Sequence, residues 1–163
     1  MTVGGHDLAL CRTDVWRRHI AWVPQQPTIF RGTVADNIRL GRVGATERDV
    51  RDAAVLAGAD RFIQRLPFGY ETLVGDGARP LSAGESRRIA LARAFVRDAP
   101  LVILDEPTAD LDRTSAAVVA ESVERLRSNR MVLLIAHRPE LAEHVDRLVS
   151  LDGGSAAVPS EAP

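Results

Sequence analysis

The chain has 163 residues, 45% of them hydrophobic, which is enough for one domain with its own core. Its 21 basic and 22 acidic residues nearly cancel, so no general field attracts nucleic acid or an anionic membrane surface. The single Cys11 excludes an internal disulfide and is typical of a reducing, cytoplasmic compartment, and the longest apolar run, 131–136, is far below the roughly 18 residues of a membrane helix.

The first predicted elements are a short strand and two helices. Residues 20–23 form an apolar strand that a proline ends, which places Gln25 in a loop at the strand's carboxyl end. From Thr46 the apolar spacing becomes helical, with an N-cap and an acidic first turn, and Gly58 ends this helix. A second short helix is predicted over residues 60–66.

The second half of the chain follows the strand–helix–strand pattern of an α/β domain. Residues 86–97 are predicted to form a helix, and the apolar runs 101–104 and 132–135 are predicted to be strands covered on both faces of a parallel sheet. An amphipathic crossover helix over 114–126 joins them. The inner face of the first of these helices is expected to comprise Ile89, Ala90, Ala94 and Phe95. From Gly153 onward, small and polar residues predict a disordered tail.

Two acidic residues follow the apolar run 101–104. Asp105 ends a predicted buried strand, where ligands bind in open α/β sheets, and its carboxylate suits a magnesium ion held through water. Glu106 follows it directly and is a candidate general base that would orient or deprotonate a water molecule. The alternative is that Asp-Glu-Pro only ends a strand and caps a helix.

A second candidate site precedes the helix predicted to begin near Ser86. Ser82 and Gly84 would present a hydroxyl and bare backbone amides at a positive helix end, which is an anion site. The alternative is an ordinary N-cap serine beside a flexible glycine. His137 ends the third apolar strand and could hydrogen-bond a terminal phosphate near Glu106, although a lone histidine is more often structural.

The order and spacing of these motifs resemble the ATP-binding cassette (ABC) proteins over roughly residues 3–151. Leu81-Ser82-Ala83-Gly84-Glu85 resembles the LSGGQ signature of this family, and residues 101–105 resemble its Walker B strand. Glu106 is similar to the catalytic glutamate, and residues 109–112 are similar to the D-loop. His137 matches the switch histidine, and Gln25 matches the Q-loop glutamine. Segments 30–38 and 69–75 resemble the exporter branch. The signature and residues 136–139 are most similar to the heterodimeric cysteine and glutathione exporters required for cytochrome bd assembly.

The resemblance implies an α/β, P-loop NTPase-like cassette with a mostly parallel sheet and an inserted helical subdomain. The partial nucleotide-binding domain would span residues 1–152, with the helical and signature subdomain at about 36–95, and the disordered tail would span 153–163. It further implies an ATPase that uses ATP and Mg²⁺ and works as a homo- or heterodimer. Each ATP would lie between one cassette's Walker A loop and the other's signature.

The roles of individual residues follow from the same resemblance. Glu106 and His137 would be catalytic and position water, while Asp105 and Gln25 would be the metal-associated residues. The other nucleotide-binding positions would be Ser82, Ala83, Gly84, Glu85 and Asp112. The partners would be a second cassette and the transmembrane domain of an exporter, which would contact the region after Phe30, with no nucleic acid. The cassette would then lie on the cytoplasmic side of the plasma membrane.

One expected motif is absent from the sequence. All 21 basic residues are arginine, so the lysine-containing phosphate loop G-x-x-x-x-G-K-[ST] does not occur. We therefore expect the N-terminal part of the cassette to be missing and the isolated chain to be a weak or inactive ATPase. Three interpretations stay open: a fragment of an exporter ATPase, a subunit that donates only its signature face, and a soluble cassette protein of another class. Ala83 and Glu85, which replace a glycine and a glutamine of the signature, also depart from the family pattern.

Overall fold

The computed structural model describes residues 2–3, 6–10, 12–136, 145–152 and 155–157. The strands are β1 (Thr2–Val3), β2 (His6–Asp7), β3 (Ile20–Val23), β4 (Gly32–Thr33), β5 (Leu73–Val74), β6 (Leu101–Asp105), β7 (Met131–Ile135), β8 (Ser150–Asp152) and β9 (Ser155–Ala157). The α-helices are α1 (Thr13–Arg18), α2 (Val34–Arg39), α3 (Glu47–Leu56), α4 (Asp60–Ile63), α5 (Ala83–Arg97) and α6 (Arg113–Arg127), and single 3-10 turns cover Leu8–Leu10 and Gly69–Glu71.

A three-stranded parallel sheet in the order β3-β6-β7 lies at the centre of the domain. Val23 is level with Leu104, and Leu104 with Leu134, so the three carboxyl ends meet at one edge. Parallel neighbours require crossovers, which α5 and α6 provide before β6 and β7. The α/β fold and the parallel sheet predicted from the sequence are confirmed.

The two faces of this sheet differ in burial. Val23, Val102 and Leu104 are fully buried on the face that α5 and α6 cover. On the other face Trp22 is 65% exposed and Leu133 is 52% exposed. The expectation that the strands are covered on both faces is therefore wrong for this face within the described residues, because the two long helices both pack on the opposite side.

Helices α2 and α3 pack against α5 and enclose a second part of the core. Ile38, Val50 and Leu91 are fully buried there. The helix predicted over 60–66 ends earlier, at Ile63, and continues as hydrogen-bonded turns to Leu66. These elements position the first turn of α5, where the signature residues lie.

Helices α2 and α3 each begin with a capping box, and this makes their stability depend on pH. Thr33 N–H donates to the Asp36 carboxylate at 3.2 Å, and Thr46 N–H donates to that of Asp49 at 2.9 Å. Hydrogen bonds from the side chain and backbone of Thr33 lower the pKa of Asp36 below its ordinary 3.8, and those from the backbone and side chain of Thr46 do the same for Asp49. The folded state therefore favours the charged carboxylates.

We expect the free energy of unfolding contributed by these caps to be fully present above the unfolded pKa, near pH 4. This contribution should be lost as the pH falls from about 4 through the lower pKa values that Asp36 and Asp49 have in the folded state. In this pH range protons bind the carboxylates of the unfolded chain but not those of the folded chain. Urea unfolding followed by circular dichroism between pH 7 and pH 3 measures this. A double variant, Asp36→Asn with Asp49→Asn, should show a shallower pH dependence, whereas an unchanged slope would contradict the assignment.

A separate hairpin closes the described part of the chain. Ser150–Asp152 (β8) pairs antiparallel with Ser155–Ala157 (β9), and of the two only β9 lies in the stretch predicted to be disordered from Gly153. The proposed limits of the domain and of the helical subdomain stay predictions.

Candidate functional site

Three predicted site residues lie at the carboxyl edge of the central sheet. Gln25 follows β3 after one proline, Asp105 is the last residue of β6, and Glu106 comes next. The register that aligns Val23 with Leu104 brings these positions to the same edge. All three are partly exposed. An amide and two carboxylates are therefore available at the location where open α/β sheets bind ligands.

The backbone of Glu106 adopts an uncommon conformation. Its φ of +44° lies in the left-handed region, which disfavours residues with a side chain. Its N–H donates to the Ile135 carbonyl at 2.9 Å, and its carbonyl accepts from Ala109 N–H at 3.1 Å and from Arg87 Nη1 at 2.6 Å. Three hydrogen bonds therefore hold the Glu106 backbone in place: one to β7, one from Ala109 and one from Arg87 on α5.

The signature segment forms the N-terminus of α5. Ser82 is the N-cap: its N–H donates to Glu85 Oε2 at 2.8 Å, and its Oγ accepts from Glu85 N–H at 3.2 Å. Ala83, the first helical residue, is exposed. The predicted start near Ser86 is wrong, because this capping box begins the helix earlier. The Glu85 carboxylate thus already lies at the positive end of the helix dipole.

Gly84 lies where the first turns of α5 and α6 meet. A Cβ on Gly84 would lie 2.8 Å from Ser115 Oγ and 3.0 Å from Ser115 Cβ, so a larger residue would require Ser115 or one of the helices to shift. Asp112 caps α6 by accepting from Ser115 N–H at 3.0 Å, and these local hydrogen bonds lower its pKa. Gly84 is buried by this helix contact, whereas Ser82 and Ala83 are exposed, and the anion site predicted at this helix end stays a prediction. Two helix N-termini are consequently adjacent at the site.

Two arginines of α5 were not predicted as site residues. Arg87 is 3% exposed, and burial lowers its pKa while the charges of Asp110, Asp105 and Glu106 oppose that shift. Arg88 lies with its guanidinium 5.1 Å from the ring centre of Phe62. Helical spacing in the sequence could have indicated that Arg87 is buried. Arg87 lies on the same helix face as Ala90, Leu91 and Ala94, which are all buried.

The prediction for His137 lies outside the described residues. The last described residue before it is Ala136, which follows the end of β7. In the part of the chain that the structure describes, no group of three or more histidine, cysteine or acidic side chains is arranged to hold a metal ion. A magnesium site here would thus use one or two protein ligands with water and phosphate oxygens, which is the usual arrangement for Mg²⁺.

Comparison with known proteins agrees with this geometry. A family model described as ABC transporter matches residues 1–109, which is more than half of the chain. The chain belongs to the ABC transporter family. An Atm1-family ABC exporter from a bacterium, solved with ATP bound, superimposes with a TM-score of 0.86 at 36% identity, covering 94% of this chain and 27% of the other.

Two similar relatives have the names of an exporter and a flippase. A β-(1→2)glucan export ATP-binding/permease protein, NdvA, from Rhizobium etli is 43% identical over 93% of this chain and 26% of its own length. An ATP-dependent lipid A-core flippase from Syntrophus aciditrophicus is 41% identical over 93% of this chain and 25% of its own length. The cassette chain thus spans about a quarter of these relatives. None of its described helices is long and apolar enough to cross a membrane.

Proposed function

We propose that this chain forms part of the nucleotide-binding cassette of an ABC exporter and that it couples ATP hydrolysis to transport. The observation that carries the proposal is the fixed turn after β6. It presents Asp105 and Glu106 beside Gln25 at one sheet edge, with the Glu106 backbone hydrogen-bonded to both α5 and β7. This arrangement supplies a metal-binding carboxylate and an adjacent base, as phosphoryl transfer to water requires.

The residues at this edge fit a magnesium ion accompanied by a nucleotide. When bound, Mg²⁺ neutralises charge on the phosphate oxygens. Asp105 and the amide oxygen of Gln25 would hold the ion, partly through water. Glu106 would accept a proton from the attacking water or orient it, and the fixed turn would reduce the reorganisation this needs. His137 is proposed as a second group that positions this water.

The signature segment is proposed to serve a second cassette. Ser82 and Ala83 are exposed at the start of α5, and α6 begins beside them at Asp112. Two adjacent helix N-termini favour an anion, so this face suits the terminal phosphate of ATP held by the partner. The carboxylate of Glu85 reduces this attraction, and we expect a weaker phosphate contact than glutamine would give.

A second candidate function is a subunit that donates only its signature. The observation that favours it is the absence of any lysine, and hence of the G-x-x-x-x-G-K-[ST] loop, from this sequence. That the chain is a fragment of a longer cassette also stays a prediction. Both candidates use the same signature face, but only the first needs Glu106 for hydrolysis.

A chimaeric exporter separates the two candidates. The chain would replace the matching segment of the Rhizobium etli NdvA relative, and magnesium-dependent ATP hydrolysis would be measured in membranes. Turnover that depends on Glu106 supports the proposed cassette. Turnover that depends on Ser82 but not on Glu106 supports the signature-donating subunit, and a chimaera that folds and binds ATP yet shows neither dependence contradicts both.

Within this chimaera we expect Ser82→Ala to lower ATP hydrolysis by roughly tenfold, because an oriented hydroxyl at the phosphate is removed. The same change removes an N-cap, which costs about 1 kcal/mol of helix stability. Thr46→Ala is the matched control, since it removes the corresponding cap of α3 without approaching the signature. If both variants lower hydrolysis equally, Ser82 acts through stability alone.

The transmembrane partner, the location of the cassette and the transported cargo are likewise proposals. A transmembrane domain would contact the region after Phe30, a residue that is 55% exposed and whose backbone lies beside Gly75, directly after β5. The cassette would then lie on the cytoplasmic side of the plasma membrane. The signature sequence supports a heterodimeric cysteine or glutathione exporter, while the relatives above are named for other cargo.

A further inference from the structure

Arg87 connects the signature helix to the turn that carries Glu106. It lies in the second turn of α5, is 3% exposed, and donates from Nη1 to the Glu106 carbonyl at 2.6 Å. The same carbonyl also accepts from Ala109 N–H at 3.1 Å. Arg87 thus makes a side-chain contact to the backbone of a residue whose φ of +44° must be maintained by its surroundings.

Arg87 is buried beside three acidic residues that are themselves at least partly exposed. Asp110, Asp105 and Glu106 interact with its charge, and its Nε is buried with no hydrogen-bond partner among the described residues. Burying a guanidinium with an unsatisfied donor costs free energy. Removing the guanidinium would relieve this cost but would leave the three carboxylates without its charge; because Asp105 and Glu106 are partly exposed and Asp110 is exposed, water can still solvate them, and we expect only a small loss of global stability.

We propose that Arg87 is a positioning residue for the reaction at Glu106: by holding the Glu106 carbonyl from α5, it keeps the turn after β6 in its left-handed conformation. The proposal rests on the function proposed for Glu106. Without the guanidinium, the turn loses its only described side-chain contact from α5 to this carbonyl and can relax toward the commoner conformations of a glutamate.

A structural role and a positioning role predict different results. If Arg87 only supported the core, its removal would lower global stability and would increase exchange throughout the domain. If it positions Glu106, its removal loosens one turn and leaves the core protected. Hydrogen exchange at individual amides therefore distinguishes the two roles without any measurement of activity.

The first experiment measures amide hydrogen exchange by NMR on the complete 163-residue chain. In Arg87→Met we expect exchange of the Glu106 amide, which donates to Ile135, to accelerate about tenfold, while the core amides of Leu91 and Leu104 keep their protection. Arg87→Lys keeps the charge but places its ammonium one bond short of Nη1, so it should restore only part of the protection. Unchanged exchange at Glu106 in a folded Arg87→Met chain would overturn the proposal.

Arg97→Met is the matched control. Arg97 lies on the same helix and also donates to a backbone carbonyl, from Nε to Ile20 at 2.6 Å, but at the opposite end of β3. Its loss should not accelerate exchange at Glu106. Should Arg87→Met fail to fold, Arg87→Gln provides the same test, because its amide is too short to reach the carbonyl.

The second experiment uses the chimaeric exporter described above. Arg87→Met should lower kcat for ATP hydrolysis about tenfold and leave the KM for ATP unchanged, because positioning matters mainly in the transition state. A raised KM with normal kcat would contradict the proposal. If the unaltered chimaera shows no Glu106-dependent hydrolysis, the proposed function fails, while the exchange experiment still decides whether Arg87 holds the turn.

Discussion

Glu106→Gln is expected to lower magnesium-dependent ATP hydrolysis by the chimaeric exporter at least about 100-fold, because a positioned general base contributes factors of this size. Glutamine has nearly the same shape but cannot accept the proton of the attacking water. The backbone contacts of Glu106 to Arg87 and Ile135 do not involve the replaced atoms, so the turn should persist. ATP binding should therefore continue while turnover falls.

Steady-state hydrolysis and equilibrium ATP binding should be measured on the same preparation. Glu124→Gln is the control, since it makes the same chemical change on α6 at an exposed carboxylate paired with Arg127. It should leave hydrolysis unchanged, as surface ion pairs contribute little. Loss of both binding and turnover in Glu106→Gln would mean that the carboxylate is needed for the site to form, and retained turnover would remove Glu106 from the mechanism.

The elements that the sequence predicted well depend on local patterns. Residues 101–104 and 132–135 are short apolar runs, and both form strands extended by one residue. The helix that begins after Thr46 carries its own capping box, which is visible in the sequence. Parallel pairing then necessarily brings the residues after β3 and β6 to one edge, so Gln25 and Glu106 could be placed together in advance.

The features that the sequence did not reveal depend on packing between distant segments. The burial of Gly84 arises because α6 contributes Ser115 at that point. The role of Arg87 depends on which face of α5 meets the turn after β6, and an arginine within an apolar stripe gives no indication of its partner. The exposed face that includes Trp22 depends on α5 and α6 both packing on one side of the sheet.

The largest effect on stability is expected at Gly41, which lies where the end of α2 meets α5. A Cβ there would lie 2.2 Å from the Arg93 carbonyl oxygen and 2.6 Å from a methyl group of Val96. The nearest atom belongs to the backbone of a helix and cannot move alone. Gly41→Ala should therefore lower the free energy of unfolding by about 3 kcal/mol, at the upper end of the usual cost of overpacking.

Gly44→Ala separates the effect of space from that of backbone conformation. Gly44 has a φ of +80° but no atom within 4 Å of its Cβ position, so alanine should cost about 1 kcal/mol through conformation alone. Urea unfolding of the complete chain measures both variants, and equal costs would contradict the predicted contact.

Arg93 also donates to the carbonyls of Asn37 and Thr28 at 2.8 Å. Separation of α2 from α5 in Gly41→Ala would strain these bonds and disturb the link between the segment after Gln25 and the signature helix.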